Sequence, residues 1–192
     1  MKQYNNKRGR VDHRYARNDH VNDIQPENNP ISFSVKDFPI TGPNVPLPMV
    51  IKLQINNFTV LRVSVNEGSS ANILYWSAFL KMELSDSMLK PLRDTFLMGT
   101  IGETVPVKGY IDLDTTFGKG GNAKMIKVRY LVVDSWSVYN VVIGRRTVAD
   151  LGAVISAIHL TMKYPVGDGM VGVVRADLEM AKKCYDMCPN AI

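Results

Sequence analysis

The stretch at 63–76, VSVNEGSSANILYW, drives a β-rich run straight into a glycine turn and out into an apolar segment. Val60, Val63 and Val65 supply the β-branched side chains that favour a strand, and Asn66-Glu67-Gly68-Ser69-Ser70-Ala71 supplies the turn. The pattern has an echo. Asn140-Val141-Val142-Ile143-Gly144-Arg145 is a second strand entering a glycine turn, and 147–151 follows it as a short helix. Chance similarity over so short a stretch is the alternative, but only the first copy places a polar residue, Asn66, at its turn. That contrast favours one functional half-site and one structural partner. Two such units crossing in a small barrel would bury both glycines, Gly68 and Gly144, where backbones approach closely.

Alternation elsewhere points the same way. Strands are predicted at 51–55 and 58–65, joined across Asn56-Asn57 in a hairpin. A long half-buried strand at 105–117 puts Val105, Val107, Gly109, Ile111, Leu113 and Thr115 on one face. Another at 125–133 aligns Ile126, Val128, Tyr130 and Val132, and 153–163 reads as a last strand. Helical spacing at 75–82 sets Trp76, Phe79 and Leu80 on one face as core packing. An amphipathic helix at 175–187 carries Leu178, Ala181 and Tyr185 on its stripe, after Gly167, Gly169 and Gly172 loosen the chain. Residues 97–103, with Gly99 and Gly102, form a glycine-bounded hairpin tip. The expected fold is all-β: a small closed barrel over 31–165 with one or two short helices. Closure removes the edges that such strands would otherwise expose. A polar arm at 1–30 is expected to be disordered, and 166–192 to be a linker with the short helix.

Charge and side-chain chemistry exclude several functions. The net charge is +5, but residues 1–20 hold Lys2, Lys7, Arg8, Arg10, Arg14 and Arg17 against Asp12 and Asp19, so most of it is local. A weak non-specific nucleic-acid contact by that arm is the sharper reading, and a solvated arm the simpler one. Cys184 and Cys188 are the only cysteines, and no histidine lies at metal-ligand spacing near them, so neither a disulfide framework nor a metal site is expected. No cofactor is expected. No apolar run approaches the ~20 residues that span a bilayer, and the N-terminal stretch lacks an apolar leader. A soluble intracellular protein follows, cytoplasmic or nuclear.

From about 31 to 185 the chain resembles the retropepsin-like protease region of gypsy-type LTR retrotransposon polyproteins of plants. Six segments carry the likeness in order: ISFSVKDFP, VNEGSSANILYWSAFLKM, LMGTIGE, LVVDSWSVYNVVIGR, LGAVISAIHLTMKYP and GVVRADLEMAKKCYD. The family's second block reads as an apolar pair, Asp, a variable residue, Gly, Ser, Ser, Ala, Asp. Here Asn66 stands where the catalytic Asp belongs and Asn72 where a second Asp is common; Arg146 replaces a usual Pro.

The resemblance implies a catalytic turn of Asn66, Gly68 and Ser69, and a structural turn at Ile143 and Gly144. It also implies a substrate-binding flap of Met98, Gly99, Thr100, Ile101 and Gly102. It implies a homodimer acting on extended polypeptide, because one chain supplies one acid and a two-fold axis brings two together. Two such carboxylates share one proton. An amide cannot cycle that proton, so the expected function is a retrotransposon-derived aspartic endopeptidase domain that is degenerate and inactive. The alternatives are a non-catalytic dimeric peptide-binding module and a nucleic-acid-associated fragment acting through the arm. Glu67 is not expected to substitute, since neighbours in an extended segment point to opposite sides. A Ser69 or Ser70 nucleophile would need a base. The one central histidine, His159, sits in the strand-like AIHLTM and reads as a satisfied core or edge residue.

Overall fold

Two long strands set the architecture, because each buries every second side chain. β5 (Thr104–Phe117) and β6 (Lys124–Val133) pair antiparallel, with Ile111 opposite Tyr130 and Leu113 opposite Val128. Ile111, Leu113, Thr115 and Phe117 face inward from one strand, and Val128, Tyr130 and Val132 from the other, all buried. The computed structural model describes residues 30–39, 46–92, 96–98, 104–167 and 169–188. The arm expected at 1–30 lies outside these, apart from Pro30, as do Gly99, Thr100, Ile101 and Gly102 of the hairpin tip.

β1 (Val50–Ile55) turns through Asn56 and Asn57 into β2 (Phe58–Asn66). Asn56 adopts φ 48°, the left-handed conformation that a two-residue hairpin requires. Its backbone N–H donates to the Asp114 carbonyl at 2.7 Å, and its Oδ1 accepts from the Asp114 N–H at 3.0 Å, so the tip is sewn to β5. Between Ile51↔Val63 and Leu53↔Val60 the ladder slips: one residue of β1 faces Leu61 and Arg62, and Arg62 sits at φ 55°. This is a β-bulge, which bends the strand and adds twist.

β3 (Asn72–Tyr75) and β7 (Val141–Gly144) complete the ring. Strand order runs β1-β2-β7-β3-β6-β5 and returns to β1 through Gln54↔Thr116 and Ile55↔Thr115. The expected closed, mostly β barrel is therefore present, and β4 (Phe96–Met98) hangs on β5 outside the ring. Phe79, Phe117, Tyr130, Leu113, Ile51 and Ile55 fill the interior. Each such aliphatic or phenylalanine side chain contributes roughly 1.5–3 kcal/mol by leaving water. Tyr130 keeps its hydroxyl satisfied on Thr115 Oγ1 at 2.9 Å, while burial pushes its phenol pKa up.

Among the described residues, three short α-helices decorate the barrel: α1 (Trp76–Lys81), α2 (Arg145–Leu151) and α3 (Leu178–Met187). In α1 the buried side chains are Ala78 and Phe79, with Trp76 stacked on Phe79 at 4.8 Å. Leu80 points to solvent at 53% exposure, against the expected shared face. The six-residue helix buries a stripe one residue earlier. In α3 the stripe runs through Ala181 and Cys184, which pack with Val50 and Val138, and Tyr185 is exposed. The helix begins at Leu178 because Arg175 belongs to a strand and Asp177 caps the first turn, accepting from the Met180 N–H at 3.1 Å.

The strand expected at 153–163 is two strands. β8 (Val154–Ser156) stops, the chain turns through 157–160, and β9 (Thr161–Gly167) runs back along it. Leu160 at φ 47° and a 2.7 Å bond between Ser156 Oγ and His159 Nδ1 make the turn. Alternating apolar residues continue through it, so periodicity alone could not reveal it. β10 (Met170–Arg175) then pairs with β9, giving a second sheet in the order β8-β9-β10 that extends past residue 165.

Residues 30–39 form a strap across this second sheet. Ser34 caps a 3-10 turn at Val35–Asp37, and its N–H donates to Asp37 Oδ2 at 2.8 Å. Lys163 reaches both Asp37 Oδ1 and the Ser32 carbonyl at 2.8 Å, and Arg175 donates to the Asp37 carbonyl at 2.8 Å. Phe33 and Phe38 flank the His159 ring at 5.3 and 4.2 Å. The Lys163 ammonium first, and then the Ser34 N–H, hold the Asp37 carboxyl down from 3.8 to about 2. A depressed carboxylate stabilises above its unfolded pKa and loses that contribution as pH falls through the folded one. The strap should therefore detach between pH 3.8 and about 2 while the barrel persists. Hydrogen exchange at the amides of Ser34 and Asp37 should report it, and Asp37→Asn should leave the strap loose already at neutral pH.

Candidate functional site

β7 is threaded between the two strands that flank the NEGSSA turn. It runs parallel to β2, with Val65 beside Ile143 and Asn66 beside Gly144, and antiparallel to β3, with Ile73 beside Val142. The two sequence echoes thus meet in register at the same end of the barrel. Ile143 and Gly144 are buried, whereas Asn66 and Gly68 are exposed, so only one of the two glycines is buried as expected. Gly144 is the close approach: a Cβ there would run into the Ala71 carbonyl and lie 2.8 Å from the Ser69 oxygen. Gly68 serves the turn instead.

The turn is built from its own polar atoms. Asn66 Oδ1 accepts from the Gly68 N–H at 2.9 Å, and the Asn66 carbonyl accepts from the Ser69 N–H at 3.0 Å. A side-chain oxygen two residues back is the acceptor that such Asx turns use, and a carboxylate would serve equally. Ser69 spends its hydroxyl on the Ala71 carbonyl at 2.7 Å, and its own carbonyl accepts from the Arg145 N–H at 2.8 Å. That last bond ties the Asn66 turn to the first residue of α2. Arg146, in the same helix turn, pairs with Asp150 at 3.6 Å on the surface.

Sequence reasoning missed what Asn72 does. Its side chain is buried, donating through Nδ2 to the Arg129 carbonyl of β6 at 2.9 Å and accepting through Oδ1 from the Gly144 N–H at 2.9 Å. It braces three strands under the turn. One atom must donate and the other accept, which an amide does and an ionised carboxylate does not. The signal was an Asn opening a strand, where that residue type is disfavoured unless its side chain is used.

Of the expected site residues, the structure gathers Asn66, Gly68, Ser69, Ile143 and Gly144 in one place. Met98 ends β4, which pairs with β5 through Phe96↔Pro106, Leu97↔Val105 and Met98↔Thr104. These strands bracket 99–103, and Gly99, Thr100, Ile101 and Gly102, expected from the sequence as a flap, lie outside the described part of the chain. His159 bonds Ser156 in the second sheet, so its Nδ1 is not engaged with Ser69 or Ser70. Among the described residues no three His, Cys, Asp or Glu side chains cluster closely enough to hold a metal ion. None of the helices described is long and apolar enough to cross a membrane.

No family model and no curated protein matches the chain. Solved structures do. The retroviral protease-like domain of Ddi1 from Leishmania major superposes with a TM-score of 0.50 at 16% identity, covering 69% of this chain and 95% of that one. The EIAV protease complexed with the inhibitor HBY-793 gives a TM-score of 0.41 at 20% identity, over 66% of this chain and 99% of that one. A retropepsin-like aspartic protease from Rickettsia conorii gives 0.42 at 17% identity, over 65% and 80%. The likeness to the Leishmania domain establishes a retropepsin-like fold.

Asn72→Asp should destabilise the domain at neutral pH, because a carboxylate facing the Arg129 carbonyl leaves a buried acceptor unpaired, at a cost of roughly 1–3 kcal/mol. The loss should shrink in acid, where a protonated carboxyl regains a donor. Urea denaturation of wild type and variant at several pH values measures both.

Proposed function

We propose that this chain is a retropepsin-like aspartic protease domain of retrotransposon descent that has kept a peptide-binding cleft and lost hydrolysis. One observation supports the reading: the NEGSSA turn, whose sequence resembles the block in which such proteases carry their acid, has Asn66 at that place in the block, with its Oδ1 bonded to the Gly68 N–H. In such proteases two copies of that acid meet across a two-fold axis. One, ionised, takes a proton from the attacking water, and the other, protonated, polarises the scissile carbonyl. Asn66 supplies neither service, since its amide has no accessible pKa and cannot return a proton. Because the dimer is symmetric, both acids disappear together. General acid–base help is worth about 10²–10⁴-fold, and water activation is lost besides.

Retention of the cleft is supported by the turn itself. An amide satisfies the Gly68 N–H as a carboxylate would, and the bonds of Ser69 and Gly144 do not involve the missing charge. A dimer with this turn at its axis would still offer an extended peptide a strand-like path between flap and floor. The wild-type protein should therefore cleave no peptide in an unbiased mixture between mildly acidic and neutral pH. Asn66→Asp should restore part of the activity, rising with protein concentration as dimers form. Cleavage by the unmodified protein that a transition-state-mimicking aspartic-protease inhibitor abolishes would overturn the proposal. A strictly monomeric protein by light scattering, with Asn66→Asp inert, would overturn the dimeric cleft.

A further inference from the structure

On the outside of the barrel, β2, α1 and α3 enclose a groove of about 450 Å³. Its accessible apolar lining is Met180 and Met187, over a floor of Val60 and Met82 that belongs to the barrel core. Methionine side chains are unbranched and polarizable, and they suit surfaces that mould to apolar partners. The charged members are of one sign: Arg62, Lys81 and Lys183 line the groove beside the neutral Thr59 and Asn140, and none of the described lining residues is acidic. Lys183 is shared with Glu179 at 2.6 Å, whereas Arg62 and Lys81 have no carboxylate partner among the described residues.

The wall of the groove is also strained. Arg62 holds φ 55° in the β2 bulge, a conformation that a residue with a Cβ keeps only when its surroundings over-determine it. Asn140 does so with three bonds. Its N–H donates to the Arg62 carbonyl at 2.9 Å, its Nδ2 to the Leu61 carbonyl at 2.8 Å, and its Oδ1 accepts from the Arg62 guanidinium at 3.1 Å. The bulge thereby fixes a cation at the groove wall and leaves Leu61 at 39% exposure beside it.

We propose that this groove docks an acidic amphipathic peptide segment of a partner protein, its apolar side chains on the methionines and its carboxylates on Arg62, Lys81 and Lys183. Charge chooses the occupant. A second copy of this chain would bring the same positive rim against itself, and the residues at 1–20 are themselves basic. Single-stranded nucleic acid would want a row of stacking rings, and Phe58 is the only ring among the described residues that line the groove. The surface is distinct from the Asn66 turn, so this inference stands or falls independently of the proposed cleft.

The test labels the methionine methyls with carbon-13 in the full chain. The probe is a synthetic peptide of about 14 residues, four helical turns, with Leu and Met at i, i+3, i+4 and i+7 and Glu elsewhere. Titration should shift Met82, Met180 and Met187 and leave Met125 and Met170, exposed elsewhere, unmoved. The affinity should fall with added salt, and Lys81→Glu with Lys183→Glu should weaken binding by about tenfold. Met162, fully buried in the core, reports whether that variant is folded, and Lys81→Gln with Lys183→Gln repeats the measurement if it is not. No shift at the three methyls would overturn the proposal. So would an equal shift with a Lys-for-Glu peptide, a shift caused by oligouridine alone, or a concentration-dependent shift of the same methyls without any peptide.

Discussion

The turn end of the barrel depends on one buried backbone amide. β7 enters between β2 and β3, and its last residue, Gly144, is buried. The Asn72 Oδ1 receives the Gly144 N–H, and the Nδ2 of the same side chain holds the Arg129 carbonyl. A single carboxamide thus fixes the spacing of three strands. Leaving such a group unpaired inside a barrel costs more than any one neutral hydrogen bond contributes, so this constraint outweighs those around it. Gly144 completes the arrangement by having no side chain to keep the Ala71 and Ser69 carbonyls away.

Much of the fold was legible because barrel strands are one-sided. β5 and β6 alternate cleanly since one face meets the core and the other meets water. Asn56 revealed the first hairpin because few other residues accept a left-handed φ. The paired glycine turns could be matched by eye, and they do meet in register. What stayed hidden was long-range. Asn72 finds its partners 57 and 72 residues away, and no local window contains them. A glycine in a sequence announces either a turn or a close approach without saying which. Gly68 proved to be the former and Gly144 the latter. The break at 157–160 was invisible for the opposite reason: the bond that makes it is local, between Ser156 and His159, but the apolar alternation runs on as though nothing happened.

The candidate site divides into parts that tolerate change and parts that do not. Below the turn, Asn72 and Gly144 answer to strand geometry. At its surface, the side chain of residue 66 answers only to the Gly68 N–H, and an oxygen on a two-atom tether is all that bond requires. The basic groove shares β2 with the turn but sits at the opposite end of that strand, on Phe58 to Arg62, and is anchored by Asn140.

The Asx turn at residue 66 has an electrostatic corollary. When two carboxylates are brought face to face in a dry cleft, assembly itself becomes coupled to proton uptake, since their mutual repulsion must be relieved. Two amides facing one another carry no such burden. A pair of these chains joined at that turn would associate with the same strength across the carboxylate titration range, as far as residue 66 is concerned. The interface would also be able to hold direct amide–amide hydrogen bonds where its acidic counterpart must hold a shared proton.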